Sequence, residues 1–386
     1  MTITGQAPRR LLGFTLDGQP FYSIRGAEQG TSTTGDIVTQ TIDGQPINNI
    51  WAEFQQTLDI VNNRRSAVAN LLGFTTTRSA DAVAQTVGEN EFERASEFGE
   101  PTGLRATEAH LVLGYPFHDY DKATRFTWRF LRDATQEQIE SVHQRMLHAD
   151  NKLTTTAILK RLLDPTAGFN ADGRTVYGLW NNDGTVPPKH LFSSFAGTHN
   201  HYMVSGATTV DGKDIDDLYS NVAEHGYLDV PGSRALLFVN PAQMDAVARI
   251  RVTDEENPAY DFIPSAGAAP YLTSEQIVGD VAPADYNGLK IAGSYGPTWI
   301  TETGFMPPGY LLLVATGGAG STRNPVGIRE HIKPEAQGLR LLSGANLQYP
   351  LVDSFYTRGF GVGVRHRGAA AVMQIKASGS YDIPTL

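Results

Sequence analysis

Apolar positions along the chain fall into two helical stretches and several strand-like ones. From Ile50 the residues Trp51, Phe54, Leu58, Val61, Val68 and Leu72 recur at spacings of three and four, the period of a helix with one buried face. Arg64 and Arg65 interrupt that stripe, and Gly73 is a natural stop. A longer helical pattern is predicted over Asp133 to Leu163, opened by an Asp133-x-x-Gln136 capping pattern and closed by Asp164-Pro165. Its apolar stripe is Ile139, Val142, Met146, Ala149, Leu153 and Ala157, on a rod of about 45 Å. Shorter helices are predicted at Ile215 to Glu224 and at Pro241 to Ile250, with Pro in the first turn of the second.

Strand patterns fill much of the rest. Residues 91 to 132 read as a long β-hairpin. Glu91 to Phe98 alternates with charge, Gly99 to Gly103 has turn chemistry, and the return arm ends in Arg125-Phe126-Thr127-Trp128-Arg129-Phe130. On a strand the aromatics at 126, 128 and 130 share one face, and Arg125, Thr127 and Arg129 share the other. Ala235 to Val239 reads as a buried strand followed by the helix at Pro241, a strand and helix of an α/β layer. Short strands follow at Ile291 to Ser294, Thr298 to Thr301 and Leu311 to Ala315. Near the carboxy terminus Phe360, Val362 and Val364 share a strand face opposite Gly359, Gly361 and Gly363, a glycine face that implies close approach of another backbone or side chain. The apolar run Ala369 to Ile375 returns the chain to a core.

The first 47 residues carry too little apolar side chain for a core of their own and are rich in Gly, Thr and Gln. They contain Asp-Gly-Gln-Pro twice, at 17–20 and 43–46, and Phe14, Leu16, Phe21 and Tyr22 around the first copy fit a small hairpin. This segment reads as an arm lying on something else.

Composition narrows the function. The 386 residues hold 41 acidic against 31 basic side chains, a net charge of −10, which excludes a dedicated sequence-independent grip on nucleic acid. Cys is absent, so disulfides, thiolate metal sites and Cys nucleophiles are excluded, and a reducing birthplace fits. The amino terminus lacks a secretory apolar region, and the run Tyr310 to Ala315 is far short of the ~20 residues that span a bilayer, so no membrane role is expected.

Candidate chemistry is sparse. Gly359-Phe360-Gly361-Val362-Gly363 lacks the third glycine and the following helix of a dinucleotide loop, and the glycine-rich run 317–322 lacks the Lys of a phosphate clamp. His199-x-His201 is the one close His pair, and on a strand both rings would point one way, but the sequence indicates no third ligand. Asp211, Asp214, Asp216 and Asp217 miss the spacing of a calcium loop, and Asp214 reads more simply as a helix cap. No catalytic residue, cofactor or metal is expected, although paired carboxylates meet only in the fold.

The order of polar arm, charged ribbon, long capped helix, α/β layer and glycine-rich closing strand resembles the major capsid proteins of tailed bacteriophages, the Hong Kong 97-type fold, from about residue 50 onward. The most specific parts are Arg125 to Leu163, similar to the base of the extended E-loop running into the spine helix, and Leu347 to Ile375, with Gln-Tyr-Pro and Arg-Gly-Phe-Gly-Val-Gly-Val-Arg-His-Arg. Gly288 to Gly293 and Phe305 to Ala315 are similar to the family's axial region.

The resemblance implies an α+β fold with an N-terminal arm (1–49), a helix and connector (50–90), an extended β-hairpin E-loop (91–132), a peripheral P domain with the spine helix (133–230), an axial A domain (231–345) and closing strands returning to the P domain (346–386). It implies self-assembly through pentamers and hexamers into an icosahedral virion shell around packaged DNA, which the acidic chain would contact weakly. A portal, a separate scaffolding protein and a decoration protein are the further partners. The expected inter-subunit residues are Glu93, Arg94, Arg125, Trp128 and Arg129 of the ribbon. Residues 91 to 121 contain no Lys, so the shell is expected to be non-covalent, and only about ninety residues precede the ribbon, so no scaffolding segment is expected to be cleaved from the chain. An encapsulin-like cargo compartment, or a β-rich hydrolase with paired carboxylates, are the alternatives; the hydrolase requires a deep pocket with converging acids.

Overall fold

The computed structural model describes residues 11–14, 20–22, 40–63, 66–84, 94–95, 97–100, 110–253, 259–267, 280–348 and 351–386. In chain order the amino-terminal part contains β1 (Leu11–Phe14), β2 (Pro20–Tyr22), α1 (Ile47–Asn63), α2 (Ala67–Leu72), β3 (Gly73–Thr76), β4 (Ala80–Ala84), β5 (His110–Gly114), β6 (His118–Thr127), α3 (Trp128–Asp133) and α4 (Gln136–Leu163). There follow β7 (Gly168–Phe169), β8 (Thr175–Val176), β9 (Tyr202–Val204), α5 (Gly212–Ala223), β10 (Arg234–Val239), α6 (Pro241–Val247), β11 (Phe262–Pro264), β12 (Asp285–Tyr286), β13 (Leu289–Lys290) and β14 (Gly293–Tyr295). The closing set is β15 (Thr298–Glu302), β16 (Tyr310–Thr316), β17 (Val326–Glu330), β18 (Arg340–Gln348), β19 (Leu351–Val364) and β20 (Ala370–Gln374). The chain forms two compact units and passes between them after Arg64, His118, Asp150 within α4, Gln337 and Arg358 within β19.

The smaller unit comprises Met1–Arg64, Asp119–Asp150 and Gly338–Arg358. The arm hairpin expected around residues 14–22 is present as β1 antiparallel to β2, with Leu11 opposite Tyr22. The core of this unit is small and aromatic: Ile50 and Phe54 of α1 pack with Phe126, Leu131, Ala134 and Ile139. A satellite cluster joins Leu58 to Leu339 and Tyr356. The strands β18 and β19 form an antiparallel hairpin with Arg340 opposite Thr357, and β6 pairs with β19. One buried ion pair, Arg358 Nη1 to Asp150 Oδ2 at 2.9 Å, ties β19 to α4.

The larger unit is built on a seven-stranded mixed sheet in the order β11-β14-β15-β10-β16-β20-β9, parallel at β10–β15 and β20–β9 and otherwise antiparallel. Its central strands are apolar throughout because both faces are covered. Leu236 and Phe238, Leu312 and Val314, and Ala370 and Val372 face a core shared with α2 and with Ile158, Leu159, Leu162 and Leu163 of α4. The alternate residues Leu237, Val239, Leu311, Leu313 and Met373 face Ile215, Leu218 and Val222 of α5 and Val247 of α6. In the same unit β17 runs between β3 and the carboxy-terminal half of β19.

Several sequence expectations need correction. The strand expected through Phe130 ends at Thr127, whose hydroxyl accepts the Phe130 N–H at 3.1 Å and caps the short helix α3, so Trp128, Arg129 and Phe130 lie on a helix. The even-numbered aromatics imitate a strand because Phe126 and Phe130 stack across that cap at 5.7 Å. Asp133 ends α3 rather than opening the long helix. The start of α4 is capped from elsewhere: Thr135 N–H donates to Gln138 Oε1 at 3.1 Å, and Gln136 N–H donates to Asp43 Oδ2 at 3.2 Å. The second Asp-Gly-Gln-Pro turn therefore supplies a helix cap, and its hydrogen bonds with the Thr41 hydroxyl and Gln136 N–H hold the Asp43 carboxyl below its ordinary range.

The single stripe expected on α4 is replaced by two. Ile139 and His143 are buried in the first half, Thr154, Thr155, Ile158, Leu159, Leu162 and Leu163 in the second, and Ala149 between them is exposed. A helix serving two cores need not keep one face apolar along its length. On α5 the N-cap is Asp211, with Asp214 as its capping-box partner three residues on, rather than Asp214 itself.

Candidate assembly surface

The paired arms of a ribbon lie at β4 and β5, antiparallel with Ala80 opposite Gly114 and Ala84 opposite His110. Of the hairpin expected over 91–132, β6 pairs with β19, Glu91 to Glu93 lie outside the described residues, and Arg94 is exposed. Among the described residues of the ribbon, the base is buried. Leu113, Gly114 and Tyr115 are covered, whereas His110 and Val112 are exposed. A two-stranded ribbon without a covered face is marginal alone.

Close packing on glycine fixes that base. A Cβ on Gly361 would fall 1.8 Å from the Pro116 carbonyl oxygen, one on Gly363 would meet the Tyr115 ring at 2.7 Å, and one on Gly327 would meet the same ring at 2.4 Å. The glycine face of β19 is thus the seat of the segment 114–117, as the alternating glycines implied. The Tyr115 hydroxyl donates to Asp81 Oδ2 at 2.9 Å, and Arg78 pairs with the other oxygen at 3.2 Å.

Arg125, Trp128 and Arg129 come together at the junction of β6 and α3. Along β6, Thr124 and Phe126 point inward and Arg125 outward; Thr124 Oγ1 lies 2.7 Å from Ser354 Oγ on β19. Trp128 is half-buried with the Arg132 guanidinium 5.2 Å over its ring, and Arg129 is exposed. Large apolar side chains stand open on both units, Phe130, Ile42 and Leu342 on the smaller one and Phe98, Phe169, Phe192 and Ile332 on the larger, with Phe192 97% exposed. Apolar side chains exposed singly are ordinary on a folded surface, and only contiguous patches of them mark a contact with another molecule.

His199 and His201 do point one way, and a third ring that the sequence did not reveal joins them. His225, one residue past the C-cap Glu224 of α5, brings its Nε2 to 3.0 Å from both His199 Nε2 and His201 Nε2, which are themselves 3.0 Å apart. Burial holds all three below the ordinary histidine range, His225 down to about 3, so the rings are neutral at pH 7. Beside them Arg367, 2% exposed, lies 4.0 Å over the Trp180 ring and donates to the Gly178 and Leu179 carbonyls and to Asp183.

None of three clefts lined by described residues has the converging carboxyl pair that a carboxylate hydrolase requires. The clefts of about 600 and 550 Å³ each carry one carboxylate, Asp217 and Glu302, and one of about 340 Å³ carries none. General acid and base catalysis by a carboxyl pair needs two converging groups.

No protein-family model and no curated protein matches the sequence. Among solved structures the chain is similar to a chain from Mycobacterium phage Patience, at 39% identity over 93% of this chain and 96% of that one, with a TM-score of 0.67. It belongs to the tailed-bacteriophage major capsid proteins of the Hong Kong 97-type fold. More distant likenesses are the capsid of the cyanophage P-SCSP1u, 11% identical over 82% and 90% of the two chains with a TM-score of 0.47, and the holo-SrpI encapsulin complex from Synechococcus elongatus PCC 7942, 12% identical over 86% and 98% with a TM-score of 0.46. As a major capsid protein the chain is a component of the virion, and none of its described helices is long and apolar enough to cross a membrane.

Proposed function

We propose that this major capsid protein builds the icosahedral shell around double-stranded phage DNA by joining copies of itself into pentamers and hexamers, and that its role is structural rather than enzymatic. The observation that carries the reading is the likeness to the phage Patience chain over nearly the whole of both. The ribbon, whose described strands are covered at their base and open at His110 and Val112, supports it, since heterologous contacts that close into rings give such a surface a partner. Overlapping arms and ribbons then add buried area beyond one standard interface of ~1,600 Å².

On this reading residues 1–49 are the arm, the E-loop of 91–132 is carried on the paired strands β4 and β5 and reaches over a neighbouring subunit, 133–230 with 346–386 are the P domain and 231–345 the A domain. Arg94, Arg125, Trp128 and Arg129, with Glu93, carry inter-subunit contacts. A separate scaffolding protein, a portal and a decoration protein complete the assembly, and the acidic chain touches DNA weakly.

Size-exclusion chromatography with negative-stain electron microscopy of the expressed protein, alone and with a co-expressed scaffolding protein, tests the reading. Rings or shells are the expected result, and nuclease-protected DNA inside particles from infected cells separates a virion from a cargo compartment. A persistent monomer under both conditions would overturn the assembly reading, and particles filled with an enzyme instead of DNA would replace the phage shell with a compartment.

A further inference from the structure

We propose that His199, His201 and His225 form a divalent transition-metal site, best suited to zinc, that clamps the loop before β9 and the end of α5 onto the edge of the seven-stranded sheet. Their Nε2 atoms make an equilateral triangle 3.0 Å on a side. An ion at the usual zinc–imidazole distance of about 2.1 Å from all three sits roughly 1 Å off the plane of that triangle. Ideal tetrahedral spacing at that bond length is about 3.4 Å, so binding asks each ring to move by only a few tenths of an ångström.

The protonation pattern favours a cation at the centre. His201 is fully buried, and its Nδ1 lies 2.7 Å from the Ala370 carbonyl oxygen, which can only accept, so Nδ1 carries the proton and the Nε2 lone pair faces the other two rings. Such a carbonyl partner on the far nitrogen is how metal-bound histidines are usually oriented. Three inward-pointing Nε2 atoms satisfy one another poorly: one proton among them is shared between two lone pairs that also face each other, and two protons meet head-on. A cation bound by all three lone pairs removes the conflict.

The supports around the rings are rigid. His201 N–H donates to the Trp180 carbonyl at 2.7 Å, and its own carbonyl accepts from Val372 N–H at 2.8 Å, which locks it to β20. Phe195 stacks on His225 at 4.3 Å, and a Cβ on Gly368 would meet the His225 ring at 2.8 Å, so that glycine leaves room for the ring. A fourth donor is at hand in Glu224, whose Oε1 lies 3.3 Å from His199 Nε2. His225 also lines the 340 Å³ cleft, which provides an entry path. Three neutral nitrogens and one carboxylate favour zinc over calcium or magnesium, which take oxygen ligands. All these groups lie in the larger unit, so the inference concerns the subunit's own stability and is independent of how subunits assemble.

The test is metal analysis of the full-length protein grown with added zinc and dialysed extensively, with His225→Ala and His199→Gln as variants. About one zinc per parent chain is expected. Each variant should lose about 100-fold or more in affinity and retain little metal. Cobalt added to the metal-free parent should give the intense visible bands of a tetrahedral ion, and a chelator should lower the melting temperature of the parent but not of the variants. The cobalt spectrum separates ligation from mere packing, and His199→Gln, at a half-buried ring, guards against a His225 variant that fails to fold. A metal-free parent whose apo form also takes up no cobalt, or variants that bind as tightly as the parent, would overturn the proposal.

Discussion

His143 shows how a single side chain links packing to pH. Its ring stacks on Phe54 at 4.1 Å with the planes 5° apart, and its Nδ1 lies 2.7 Å from the Tyr356 hydroxyl, inside the small aromatic core. Burial pushes its pKa from 6.5 down to about 4. The unfolded chain therefore takes up a proton first as pH falls, and stability drops between about pH 6.5 and pH 4, at up to about 1.4 kcal/mol per pH unit. Above that window both states are neutral and the group has no effect. Urea unfolding of the free subunit at a series of pH values, parent against His143→Phe, should show a shallower acid limb in the variant even where its stability at neutral pH is lower. Equal slopes would mean that His143 does not titrate in this range. None of this was legible in the sequence, where position 143 sits among polar helix residues and the apolar stripe passes through Val142 and Met146. The converse holds for Gly361 and Gly363, whose alternation announced a close neighbour without saying that it would be Tyr115 and Pro116.

The elements that the sequence made clear are those whose local signals agree with their burial. The strand at 234–239, the helix after Pro241 and the strand at 310–316 were legible because an unbroken apolar run needs both sheet faces covered. The errors lie where one residue serves two roles. Thr127 follows a strand but caps a helix, and α4 changes the side it buries at about Ala149. Strand β17, only half apolar, took its place from β19 and from β3, both distant in sequence, which no local pattern records. The link between α4 and β19 in the smaller unit is likewise non-local: Asp150 and Arg358 are each 9% exposed and bonded at 2.9 Å. Replacing Arg358 by Met leaves a buried carboxylate without its cation and should cost about 3–5 kcal/mol, read as a fall in the urea midpoint of the isolated subunit. The double variant Asp150→Leu with Arg358→Met should recover most of that loss, because it is the unpaired charge that destabilises. Equal loss in the single and double variants would show that packing, not charge, holds the two elements together.

For the whole molecule, the separation of folding from assembly is the property to test. Arg125 and Arg129 are exposed; with both reversed to Glu, the subunit's melting temperature is measured beside assembly, and a fall of more than about 2 °C would mark a folding defect. Like-charge contacts at an interface cost several kcal/mol, so the yield of shells should fall at least about tenfold, measured by sedimentation of assembled particles. An unchanged yield would remove these two residues from the proposed contact set. A non-covalent shell is the expectation, since residues 91 to 121 have no Lys and Lys122 lies on β6, a strand paired within its own unit. With no Cys in the chain, disulfide links are excluded as well. Mature particles boiled in detergent should therefore run as a single band at 41.9 kDa. Ladders at multiples of that mass would require an amine outside the ribbon, and the cross-linked peptide identified by mass spectrometry would name it. A single band instead places the whole burden of containing the DNA on buried area and ion pairs, so particle stability should fall steeply with added denaturant and return when it is removed.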